Sequence, residues 1–208
     1  MKHIFLSTLG LIFFIVSSQG FTADVPCFDF EHPNLQNKKP LQEAIPLIAE
    51  KDAFSSGKDK EKNFIWGKVR GIVHKSIARL YEMLLDPYTI KDRQRVKLKI
   101  YDQPHDGFQN FNLVMVSAIT PLANIDWEEN WGYSIIDGTM AQPKTILINY
   151  QKTVGTEFIP HMCGSMVLKS IDSTTTDVYL YEEVNALGKR SPQDTVKGHL
   201  GTLTTLRK

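Results

Sequence analysis

Trp127, Glu129, Trp131 and Tyr133 occupy alternate positions of one run. Side chains two apart on an extended strand share a face, so three rings and a carboxylate project from one side. Amphipathic rings suit a pocket that must hold apolar matter and offer it a few polar handles. Ordinary core packing of the same rings is the competing reading. Facing inward, Glu129 is either paired or shifted in its protonation, and is the leading polar anchor; a bulge at this point would turn it to solvent. His161 and Cys163 also lie two apart, but two ligands do not complete a zinc site, so no metal is expected. No signature of a thiol nucleophile surrounds them. His105, next to Asp106, falls in a turn. The stretch 152–156 lacks phosphate-loop spacing, and there is no Gly-x-Ser-x-Gly elbow. No cofactor and no catalytic residue is assigned.

These residues need elements to position them. Phe64 to Val73 reads as a strand, followed at once by a helix capped by Ser76, with Ile77, Leu80, Tyr81 and Leu84 as its apolar stripe. Asp86-Pro87 stops it. Six alternating runs follow, near 96–100, 111–117, 125–135, 144–150, 158–171 and 176–187, separated by hairpin-length turns that imply an antiparallel meander. Ser191, Pro192 and Asp194 open a closing helix with Val196, Leu200 and Leu203 on one stripe. Gly198 and Gly201 each weaken that helix by up to about 1 kcal/mol, so it needs the sheet to hold it.

The 208 residues carry a net charge of +1, which excludes a bulk basic field for nucleic acid. Arg93, Arg95, Lys97 and Lys99 form only a modest basic stripe, read as a solvated strand face. Residues 1–20 have the pattern of a secretory signal peptide: Lys2 and His3, an apolar run from Ile4 to Val16, and small residues at Ser18 and Gly20. That run is too short to span a bilayer, so no stable membrane span is expected after cleavage, and the mature chain is expected outside the cytoplasm, secreted or periplasmic. There disulfides persist, and the chain has two cysteines, Cys27 and Cys163; a bridge between them and two unpaired thiols are the alternatives. Residues 21–63 read as an extension, with 55–62 a polar, charge-mixed linker, and residues 64–208 as the domain.

Taken in order, these elements resemble the START-like or Bet v 1-like superfamily, the helix-grip or polyketide-cyclase-like fold. Gly67-Lys68-Val69 leading into Ala78 to Asp86 is similar to that family's first strand and helix. Gly164 to Leu168, followed by Asp172 and Thr174-Thr175-Thr176, is similar to its penultimate turn. The resemblance implies an α+β fold: a curved antiparallel sheet of about seven strands, a helix between strands one and two, and a C-terminal helix packed across the concave face. It implies further that a lipid or other hydrophobic small molecule binds in a cavity between sheet and last helix. We expect the lining to include Val69, Leu98, Phe111, Leu113, Met115, Trp127, Glu129, Trp131, Tyr133, Leu180, Leu200 and Leu203. A non-enzymatic binding protein is the leading expectation. A cyclase- or dehydratase-like catalyst, with Glu129 and Tyr133 as its acid and base, and a protein-interaction module with a filled core are the alternatives. An inward carboxylate bonded to a tyrosine or histidine would favour the catalyst.

Overall fold

The computed structural model describes residues 45–46, 51–90, 96–103, 105–119, 124–187 and 191–208. The expected leader, Cys27, Arg93 and Arg95 lie outside the described residues. Eight strands form one antiparallel sheet: β1 (Ala53–Asp59), β2 (Phe64–Val73), β3 (Lys97–Asp102), β4 (Asn110–Ile119), β5 (Asn124–Gly138), β6 (Pro143–Gly155), β7 (His161–Ser170) and β8 (Thr176–Asn185). Helix α1 (Ile77–Leu84) and a 3-10 turn (Pro87–Thr89) separate β2 from β3, and α2 (Pro192–Arg207) ends the chain. The spatial order is β1-β2-β8-β7-β6-β5-β4-β3. Strands β3 to β8 are the expected meander, and β8 closes it by pairing with β2.

The sheet begins earlier than the sequence suggests. Residues 55–59, assigned to the linker, belong to β1, which pairs with β2 from Ala53↔Arg70 to Asp59↔Phe64. Seven expected strands therefore become eight. Ser55 to Asp59 is polar because β1 is an edge strand whose register comes from β2, and its side chains stay mostly exposed or half-buried.

Local chemistry accounts for both helices of the described residues. The Ser76 hydroxyl accepts from the Arg79 amide, and Ile77, Leu80 and Leu84 are the buried stripe of α1. At α2, Asp194 accepts from the amide and hydroxyl of Ser191 at 2.8 and 3.0 Å. Thr202, Thr204 and Thr205 bond back to the carbonyls of Gly198, Leu200 and Gly201. The end of α2 is tied down: Arg207 pairs with Asp52 and donates to the Ile72 carbonyl, and Lys75 donates to the Leu206 carbonyl. A helix weakened by two glycines is thus fixed from outside itself.

The core lies between the concave sheet face and the two helices. Ile65, Val69, Val114, Trp131, Ile148, Met166 and Leu180 join Leu80 and Leu84 of α1 and Val196, Leu203 and Leu206 of α2 in one buried cluster. A smaller cluster of Leu147, Val167, Tyr179 and Tyr181 sits on the convex face, with Trp66 and Ile45 packed against it.

Candidate functional site

Strand β5 turns Trp127, Glu129, Trp131 and Tyr133 to the helices, and all four are buried. A register shift does occur between Glu128 and Glu129, yet Glu129 stays inward and fully buried. Its two oxygens accept from the indoles on either side, Trp127 Nε1 at 2.7 Å and Trp131 Nε1 at 2.9 Å. An indole N–H can only donate, so the carboxylate is clamped between two rings of its own strand.

The arrangement continues across the sheet. Trp131 stacks on Tyr150 of β6, with centroids 4.8 Å apart and planes 19° from parallel. The Tyr150 hydroxyl donates to Glu182 Oε2 of β8 at 2.8 Å. Those two residues lie on β6 and β8, with β7 between them, and Gly164 of β7 provides the passage. A Cβ there would stand 2.1 Å from Cζ of Tyr150, so only glycine lets the ring lie across the strand. Beyond Glu182 the row ends at Gly67 of β2, where a Cβ would come within 2.9 Å of Thr195 on α2. Two buried carboxylates, Glu129 and Glu182, are thus joined by an aromatic ladder beneath the helices.

Tyr133 anchors the other side. Its hydroxyl donates to the Leu84 carbonyl at the end of α1, at 3.2 Å, and its ring meets Tyr81 edge-on at 6.0 Å. Burial holds the Tyr133 phenol far above its ordinary range, and burial likewise raises Tyr81, whose hydroxyl accepts from the Asn110 amide. Tyr133 is therefore a neutral donor, not a base. Lys152 stands opposite Glu129 in the β5–β6 register, and burial lowers its ammonium's pKa. At one end of the sheet a cleft of about 250 Å³ opens between Lys58, Asn63 to Ile65 and Val184 to Leu187.

Val69, Leu180 and Leu203 are buried in the same cluster, and Leu98 and Leu200 are half-buried at its margin. Three expected lining residues face the other way. Asn112, Val114 and Val116 are the Cα partners of Trp131, Glu129 and Trp127, which places Phe111, Leu113 and Met115 on the convex side. Phe111 packs there against His105 and Phe108, and Met115 is 40% exposed. Strand β4 is apolar in both parities, so alternation alone does not choose its face, and polar Asn112 takes one of the inward places.

Glu182 and Tyr150 belong to the same buried row and were not among the expected residues. Their signal was present: Val178, Leu180, Glu182 and Val184 put one carboxylate on an otherwise apolar face of β8, and Ile146, Ile148 and Tyr150 put a ring on that of β6. The carboxylate–tyrosine bond that would favour a catalyst does occur, between Glu182 and Tyr150 and not between Glu129 and Tyr133. His161 and Cys163 lie on the convex face. Cys163 is disulfide-bonded, and the one other cysteine of the chain is Cys27, outside the described residues.

No family model matches the sequence, and no curated protein matches it. Solved structures do. Human STARD10 superposes with a TM-score of 0.55 at 13% identity, over 81% of this chain and 76% of that one. Human StAR-related lipid transfer protein 5 gives 0.54 at 14% identity, over 86% and 92%. The lipid transfer and protein localization domain of human StarD13 gives 0.53 at 10% identity, over 82% and 92%. At such identities the likeness is one of fold: this chain has the START-like, helix-grip fold.

Proposed function

We propose that this protein binds a lipid or other hydrophobic small molecule between the concave face of its sheet and its two helices, and does so as an exported protein. The observation that carries the reading is the clamped carboxylate. Glu129 is fully buried and held by Trp127 and Trp131, on a face made mostly of aromatic and aliphatic side chains. A core built for packing alone gains little from a buried acid; a site that must orient one polar group of an apolar guest uses one. The names of two structural neighbours, both lipid transfer proteins or domains, agree with this reading. Export rests on residues 1–20 and on the disulfide at Cys163.

The ligand is tested by native mass spectrometry of the protein purified from its own host. The expected result is the chain plus one apolar molecule, released when the protein unfolds. Bare polypeptide mass, together with no saturable change in tryptophan fluorescence on titration with fluorescent fatty-acid and sterol probes, would overturn it. Export is tested by N-terminal sequencing of protein recovered from medium or periplasm, with Phe21 as the expected first residue.

One observation favours a second reading. Glu182 and Tyr150 form a buried carboxylate–phenol pair, the arrangement a cyclase- or dehydratase-like enzyme needs for moving a proton. Turnover of a bound polyketide-like substrate that disappears in Glu182→Gln would decide for it.

A further inference from the structure

The convex face carries a second constellation. His161 and Cys163 of β7 lie beside Glu183 of β8, the Cα partner of Cys163. His161 Nε2 is 3.1 Å from Glu183 Oε1. Cys163 Sγ is 3.3 Å from the same oxygen and 3.9 Å from the His161 nitrogen. A tetrahedral zinc ion bound by nitrogen, sulfur and oxygen at ordinary bond lengths holds those atoms about 3.3–3.6 Å from one another. The three groups already stand at nearly that spacing.

The surroundings support the same use. Tyr181 donates its hydroxyl to the other oxygen of Glu183 at 2.5 Å, which fixes the carboxylate as an outer-shell partner fixes a metal ligand. The His161 ring stacks on Phe64 at 5.6 Å between centroids. The side chains of His161 and Glu183 are 12% and 16% exposed, so an ion has a path in. What blocks the site is the disulfide, because a bridged sulfur is not a thiolate and the thiolate is the ligand.

We propose that His161, Cys163 and Glu183 form a latent site for a zinc-class divalent cation, opened when the Cys163 disulfide is reduced. A phosphine accomplishes the opening with balanced chemistry: phosphine, water and disulfide give two thiols and a phosphine oxide. The cation then displaces the Cys163 thiol proton to solvent, and the fourth position remains open for water. In its oxidised form the protein does not take the ion. The site is remote from the concave face, so its presence does not depend on the ligand-binding reading.

Cobalt(II) is the probe, since a thiolate ligand gives it a charge-transfer absorption that nitrogen and oxygen ligands do not. Cys27→Ser frees Cys163 without touching the three ligands. The expected result is one cobalt per chain with the thiolate band in Cys27→Ser, no band in the oxidised wild type, and its appearance in the wild type after phosphine treatment. Zinc should bleach the band. His161→Ala should weaken cobalt binding at least tenfold, and Tyr181→Phe about tenfold through Glu183. If Cys27→Ser does not fold, as read by far-ultraviolet circular dichroism, the phosphine-treated wild type carries the test. Absence of the band in whichever of these is folded, or equal cobalt affinity after Cys163→Ser, would overturn the proposal.

Discussion

The two faces of one sheet solve burial differently. The concave face is covered by helices that the fold itself supplies, and its two buried carboxylates are single side chains clamped by aromatics: Glu129 by two indoles, Glu182 by a phenol. The convex face has a smaller apolar cluster and relies on polar ties. Arg70 forks onto Asp177, with Nη2 to Oδ2 at 2.6 Å, and donates to the Ile45 carbonyl at 2.7 Å. Ser165 donates to Asn149, and Cys163 is bridged. A face closed by helices can shape a space; a face closed by ties can only be held or let go. That difference is why the proposed ligand is assigned to the concave side, while the convex side carries a removable constraint.

The contrast can be broken most directly at Trp131. Trp131→Ala should cost about 3–5 kcal/mol in urea unfolding, since it empties the centre of the core and leaves Glu129 one donor short. Glu129→Leu should cost roughly 3 kcal/mol, because two buried indole N–H groups lose their acceptor, and it should abolish any ligand-dependent quenching of tryptophan fluorescence. On β4 the faces can be compared at adjacent residues: Val114→Ala should cost about 2 kcal/mol, while Met115→Gln should stay within about 0.5 kcal/mol. On the convex side Arg70→Met should cost about 1.5–3 kcal/mol, the scale of a lost charge-assisted hydrogen bond.

The smallest effect is one of pH. Burial raises the Tyr133 phenol in the folded state, while in the unfolded chain it titrates near pH 10. Above that pH the unfolded state binds fewer protons than the folded one, so stability present below pH 10 falls as pH rises. Denaturant midpoints between pH 9 and 11 should decline less steeply in Tyr133→Phe than in the wild type. Equal slopes would mean that the phenol is not sealed from water.

Much of the concave face was legible. Period-two alternation in β5 named Trp127, Glu129, Trp131 and Tyr133 together, and short-range capping chemistry at Ser76 and at Ser191–Asp194 marked both helix starts. What was hidden depends on neighbours distant in sequence. Strand β1 has no apolar rhythm and exists because β2 offers it a register. Strand β4 has apolar residues in both parities, so only its partners on β5 decide which side is in. The Tyr150–Glu182 bond crosses an intervening strand through Gly164, and no local window contains all three.

The pairing of β2 with β8 joins segments far apart in the chain. Val69 and Leu180 are paired neighbours although about 110 residues separate them in the chain, so β2 lacks one hydrogen-bonding flank until nearly the whole polypeptide is available. Contacts of such long range slow the search for the native state and leave an open strand edge exposed meanwhile. A chain truncated before Thr176 would keep β2, α1 and most of the meander, yet should refold poorly and aggregate through that unmet edge.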